Sequence, residues 1–174
     1  MYRMTWWFVL SVSLFFTSNT VFAQGTGSSA TATCKFDSMK QLAVRYQKVK
    51  VGTKKYLLGK EIPYGKVWAP GGKPMTMFTN TALAVGDQTV PVAAYTVFVI
   101  PEEDKWNLVI SKSTDTGGKY NKQQDLMRVP MEVGELPSAE PEFSVYFAHA
   151  GEDQCNMRLD LQNVRAWTTF KRKQ

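Results

Sequence analysis

Apolar residues recur at every second position in this chain, and no stretch after residue 23 sustains a helical period. Leu42, Val44 and Tyr46 alternate with Gln41, Ala43 and Arg45. Trp106, Leu108 and Ile110 alternate with Asn107, Val109 and Ser111. Phe143, Val145 and Phe147 follow the same rule, as do Met157, Leu159 and Leu161. A side-chain period of two puts one set on one face of an extended strand, so each run predicts a strand with one buried face. Tyr95 to Ile100 (YTVFVI) is nearly all apolar or β-branched and predicts a central strand covered on both faces.

Turn residues fall between these runs. Gly86-Asp87 separates Leu83–Val85 from Thr89–Val92 and predicts a tight hairpin. Pro101 to Asp104 ends the central strand, Gly117-Gly118 breaks a polar loop, Pro137 to Pro141 separates two strands, and Gly151 to Asp153 separates the next pair. Strands spaced about 8–14 residues apart fit an all-β domain, an antiparallel β-sandwich or a barrel-like relative of one. No internal repeat or second domain is visible. Gly59 to Pro74 (GKEIPYGKVWAPGGKP) differs from the rest, because its Pro and Gly content excludes a regular strand. A long connection carrying Tyr64 and Trp68 either binds something or plugs the core.

Residues 1–23 read as a secretory signal peptide, with Arg3 as the positive start, Trp6 to Phe16 as the apolar stretch and Val21-Phe22-Ala23 as the cleavage site. The apolar stretch is about half the roughly 20 residues a membrane span needs. Residues 24–33 (QGTGSSATAT) read as a flexible leader, 34–170 as the β-sandwich domain and 171–174 as a basic tail. Removing residues 1–23 takes away Arg3 and no acid, so the formal charge falls from +6 to +5.

Export to the periplasm or beyond the cell changes what that charge and the cysteines mean. It argues against nucleic acid as a partner and toward glycans or anionic envelope polymers. The basic residues are spread along the chain, with clusters at Lys48, Lys50, Lys54, Lys55 and Lys60 and at Lys171, Arg172 and Lys173. These read either as a solvated loop and tail or as an attraction for anionic surfaces. Cys34 and Cys155 are the only thiols. An isolated pair in an oxidising compartment predicts a disulfide closing about 120 residues; the alternative is two free buried thiols. The bond would bring the first strand beside the strand starting near Cys155.

Conventional catalysis finds little to work with. His149 is the only His, no Ser sits in a G-x-S-x-G motif, and the thiols are expected to pair. His149, Glu152 and Asp153 could be imagined around a cation but read more simply as a polar turn. Glu132, Glu135, Glu140 and Glu142 cluster among Pro and Gly, which reads as an exposed loop rather than a hydrolytic carboxylate pair. No phosphate loop, dinucleotide fingerprint, cofactor motif or metal-ligand set is present. Tyr64, Lys66, Trp68 and Lys73 form one aromatic and basic constellation. Either it stacks on sugar rings and meets anionic groups, or its aromatics pin the loop to the sheet.

Three ordered blocks carry a family resemblance. Ile62-Pro63-Tyr64-Gly65-Lys66-Val67-Trp68 resembles a P-Y-G-x-V-W block; Val90-Pro91 through Pro101 resembles L-P-A-G-x-Y-x-L-F-x-I-P; and Trp106 to Lys112 resembles W-T-x-I-x-x-K. Together with Arg128-Val129 and the strand from Met157, they are similar to the bacterial DUF2911 family of unknown function, across roughly residues 34–168. The resemblance implies an exported β-rich domain and no assigned activity. The placement of Cys34 and Cys155 resembles a subgroup with one Cys in each of these strands. The chain departs after Trp68, where the family reads R-T-G-A-N-E and this chain reads Ala69-Pro70-Gly71-Gly72-Lys73-Pro74. The family's Trp before Tyr120 and its turn Gly before Tyr95 are also replaced. The sequence thus predicts an exported, non-enzymatic β-sandwich module of unknown ligand, a glycan or an anionic envelope polymer, with no membrane span in the mature chain. The alternatives are a structural or protein-interaction component of the cell envelope, and a hydrolase whose site one sequence does not reveal.

Overall fold

A computed structural model describes residues 28–52, 57–117 and 119–174. The expected signal peptide and the first residues of the leader lie outside them, as do Lys54, Lys55 and Gly118. Among the described residues there are ten strands, β1 (Ser29–Lys35), β2 (Gln41–Gln47), β3 (Val49–Lys50), β4 (Met75–Thr79), β5 (Leu83–Val85), β6 (Gln88–Val90), β7 (Ala93–Pro101), β8 (Trp106–Ser111), β9 (Asp125–Gly151) and β10 (Gln154–Arg172). Among the described residues the only helical pieces are two short 3-10 turns, Pro70–Gly72 and Lys122–Gln124. No helix there is long and apolar enough to cross a membrane.

Every ladder between these strands is antiparallel, in the order β1-β2-β4-β7-β8-β9-β10-β5-β6, with β3 paired to β9 off that path. The alternating runs explain the layering. Leu42, Val44 and Tyr46 of β2 point inward, as do Trp106, Leu108 and Ile110 of β8. β7 is covered on both faces: Val97 and Val99 join the main core, while Phe98 and Ile100 join Val109 in a smaller outer cluster under Val67, Ala69 and Tyr120. Trp106 is 0 % exposed and belongs to the main core with Phe143 and Phe170. Each such side chain contributes on the order of 2–3 kcal/mol by leaving water.

β9 and β10 form one long ribbon that bends back on itself. The pairs Asp160↔Ser144, Gln162↔Glu140 and Val164↔Glu135 advance unequally, so residues of β9 bulge opposite Gln162, whose φ is +54°. A bulge lets one strand turn sharply while its partner follows. The ribbon's ends therefore meet: the Arg172 N–H donates to the Asp153 carbonyl at 2.8 Å, and the Thr169 hydroxyl donates to Asn156 Oδ1 at 2.7 Å. Pro137 to Pro141 thus marks the bulge of a bent strand rather than a separation between two strands.

Cys34 of β1 and Cys155 of β10 form a disulfide, with their Cα atoms 6.4 Å apart. β1 and β10 share no ladder among the described residues, so the sulfur bridge joins parts of the sheet that hydrogen bonds leave apart. The expected hairpin at Gly86-Asp87 is present, with Val85 opposite Gln88 and Gly86 at φ +54°.

Strand pairing reaches into both segments expected to flank the domain. Ser29 to Thr33, expected in the flexible leader, pair with Gln47 to Ala43, because Ala30 and Ala32 pack against the core between polar neighbours. The basic tail is also partly built in. Lys171 and Arg172 pair with β5, and Arg172 lies 2.6 Å from Asp37 and 2.7 Å from Asp153. Asp37 in turn accepts the backbone N–H groups of Met39 and Lys40. These, with the nearby Arg172 guanidinium, hold its carboxyl below the ordinary value.

Candidate functional site

The four candidates of the aromatic and basic loop differ in burial and in what they touch. β4 begins opposite Val97 of β7, and the next edge position, Val99, is taken by Trp68 through a pair of backbone hydrogen bonds of 2.7 and 3.0 Å. The loop therefore extends the sheet where β4 stops. This turns the half-buried Trp68 ring onto Phe143, edge to face, with centroids 5.4 Å apart. The tight passage continues at Gly71, where φ is +76° and a Cβ would lie 2.8 Å from Gln47 and Val49 side-chain carbons. Only glycine fits both the angle and the space there. Tyr64 is 38 % exposed and lies over Gly59. Lys66 and Lys73 are exposed.

A different constellation forms where the β9–β10 ribbon folds back. Gly134, Glu135, Asn156, Arg158, Arg165 and Trp167 line a groove of about 300 Å³. These residues occupy the polar positions between the buried ones, and the bend brings the two halves together. Trp167 lies over Gly134, close enough that a Cβ there would meet the ring at 3.1 Å. The glycine thus leaves room for an indole face at the groove.

One of the lining residues, Arg165, is fixed electrostatically. Asp160 is 0 % exposed, and both its oxygens accept from Arg165, at 2.7 Å from Nε and 2.6 Å from Nη2. Such a two-pronged geometry is where a guanidinium matches a carboxylate best. The hydrogen bonds to Asp160, reinforced by its charge, push the Arg165 guanidinium further above its ordinary value. Arg158 has a different status. It is half-buried, stands opposite Tyr146 in the ladder, and forms no ion pair among the described residues. A half-buried guanidinium beside an aromatic face suits an anionic group carried on an apolar body.

The acidic cluster separates. Glu142 pairs with Lys48 at 3.8 Å, and Glu135 reaches the groove. Asp153 is held by Arg172, so His149, Glu152 and Asp153 are not a free ligand set. His149 is the cross-strand neighbour of Cys155, with Nδ1 3.8 Å from its sulfur.

Sequence reasoning misses Asn156, Arg158, Arg165 and Trp167 because the alternation in β10 draws attention to its buried positions alone. The available signal is Trp167 in a strand whose other neighbours on that face are Arg165 and Thr169. An indole among polar positions is out of place on a plain solvated face. A family model described as "Protein of unknown function (DUF2911)" matches residues 28–170. No curated protein and no solved structure matches the chain.

Proposed function

Because the chain belongs to the DUF2911 family along nearly all of its β domain, and that family carries no assigned activity, we propose its function from the groove: a non-catalytic module that binds acidic saccharides. One observation carries the reading. Trp167, seated over Gly134, shares a groove with Asn156 and with Arg158, which has no ion-pair partner among the described residues. An indole face suits the C–H face of a pyranose ring. A guanidinium suits the carboxylate of a uronic acid, and the Asn156 amide and Glu135 carboxylate suit hydroxyls.

A binding role fits this site better than hydrolysis. Hydrolysis of a glycoside ordinarily uses a pair of carboxyl groups flanking the scissile bond. Glu135 is the acid among the residues lining the groove, and Asp160, buried behind Arg165, has both oxygens engaged by that guanidinium. Residues 1–23, with their signal-like pattern, and the Cys34–Cys155 bond support export to an oxidising compartment, where such polymers occur.

The test is calorimetric titration with a short oligogalacturonate, with neutral cello-oligosaccharide as the comparison. The acidic sugar is expected to bind, more weakly as salt rises. Trp167→Ala and Arg158→Ala are each expected to weaken binding at least tenfold, about 1.4 kcal/mol. Tyr64→Ala, away from the groove, should leave the affinity unchanged. Binding that survives both groove substitutions in folded protein would remove the proposal.

A further inference from the structure

The disulfide has a third chemical neighbour. Cys34 reaches it from β1, Cys155 from β10, and His149 from β9 directly across the ladder from Cys155. One ligand atom from each of these residues lies within 4.8 Å of the others, and His149 Nδ1 stands 3.8 Å from Cys155 Sγ. Around a tetrahedral zinc ion, with Zn–S of about 2.3 Å and Zn–N of about 2.0 Å, neighbouring ligand atoms sit roughly 3.5–3.8 Å apart. His149 Nδ1 therefore already stands at zinc-binding spacing from one sulfur, while the two sulfurs must part from bonding distance before an ion can sit between them. The two cysteines are buried and His149 is exposed. An ion, and a water in a fourth position, would approach from the His149 side.

We propose that the reduced protein binds a thiophilic d10 cation such as Zn²⁺ through Cys34, Cys155 and His149, so that one cluster alternates between a disulfide and a metal site. The chemistry balances with a dithiol reductant. The S–S bond breaks as the pair takes two electrons and two protons from the dithiol, which leaves as its own disulfide. The ion then displaces two protons from the thiols. Neutral imidazole joins the two thiolates as the third ligand, with one position left open. Strands on three sides hold the ligands, so the ion replaces the covalent link it depends on losing. The inference is independent of the groove.

The probe is Zn²⁺ itself, added to purified protein in the presence of a phosphine reductant and read against a chromophoric chelator. The expected result is one zinc per reduced chain, about two protons released per zinc, and none retained by the oxidised protein. His149→Ala changes an exposed residue. It should weaken zinc binding on the order of 100-fold or more, since even outer-shell changes cost 10–100-fold. Circular dichroism accompanies each titration. If reduction unfolds the chain, zinc should restore the sheet signal in the wild type and not in His149→Ala. The proposal is overturned if the reduced protein retains no zinc or stays unfolded with it. It is also overturned if His149→Ala binds as tightly as the wild type, or if the oxidised protein binds equally well.

Discussion

Replacing Cys34 and Cys155 together by Ala is expected to lower stability by about 5 kcal/mol, the chain-entropy value for a link spanning 121 residues. In melting temperature that is roughly 10–20 °C for a chain of this size. The size of the effect follows from topology. β1 is hydrogen-bonded only to β2 among the described strands, at one end of the ladder order, and its half-buried Ala30 and Ala32 give it little apolar area. Without the bridge, β1 is held to the rest of the fold by β2 and by its packing on the core. Urea unfolding of the oxidised wild type and the double variant checks this. A difference under about 1 kcal/mol would mean that the β1–β2 end is secured by packing alone.

The second large effect is expected at the buried ion pair. Arg165→Met should cost about 3–5 kcal/mol, because it leaves the Asp160 carboxylate buried without its partner. Asp160→Asn should cost less. Its orphan is the Arg165 guanidinium, whose side chain is 31 % exposed and can be hydrated. The double replacement Asp160→Leu with Arg165→Met should cost less than Arg165→Met alone, since two apolar groups need no compensation. Equal costs for the two single variants would show that Asp160 is more accessible to water than its burial indicates. This pair sits beside the bend, so the same variants report how firmly the two halves of the ribbon are held.

The layers of the fold are legible in the sequence because burial follows a local rule. Leu42, Val44 and Tyr46 are buried as their alternation predicts, and the apolar run ending at Ile100 is covered on both faces. The Cys34–Cys155 bond is also legible, from the cysteine count and the inferred compartment. Local rules fail at the bend. Pro137 and Pro141 look like separators between strands, whereas the ribbon bulges at that point and continues. Nothing near Gln162 announces its positive φ, yet that geometry helps bring Arg158 and Trp167 to one groove.

The site escapes local rules for a related reason. Tyr64, Lys66, Trp68 and Lys73 are close in sequence and look like a surface, but Trp68 completes the edge of β7 and faces Phe143. Within residues 69–74, Gly71 occupies the point where a Cβ would strike Gln47 and Val49. The groove residues come from both halves of β10 and from β9, and only the folded ribbon makes them neighbours.

The most direct measurement is a residue-resolved one: amide and indole chemical-shift changes in ¹⁵N-labelled protein during titration with oligogalacturonate. The groove reading predicts saturable shifts at Gly134, Asn156, Arg158 and the Trp167 indole N–H, with the loop carrying Tyr64, Lys66 and Lys73 undisturbed. Shifts confined to that loop, or no saturable shifts at any residue, would contradict it.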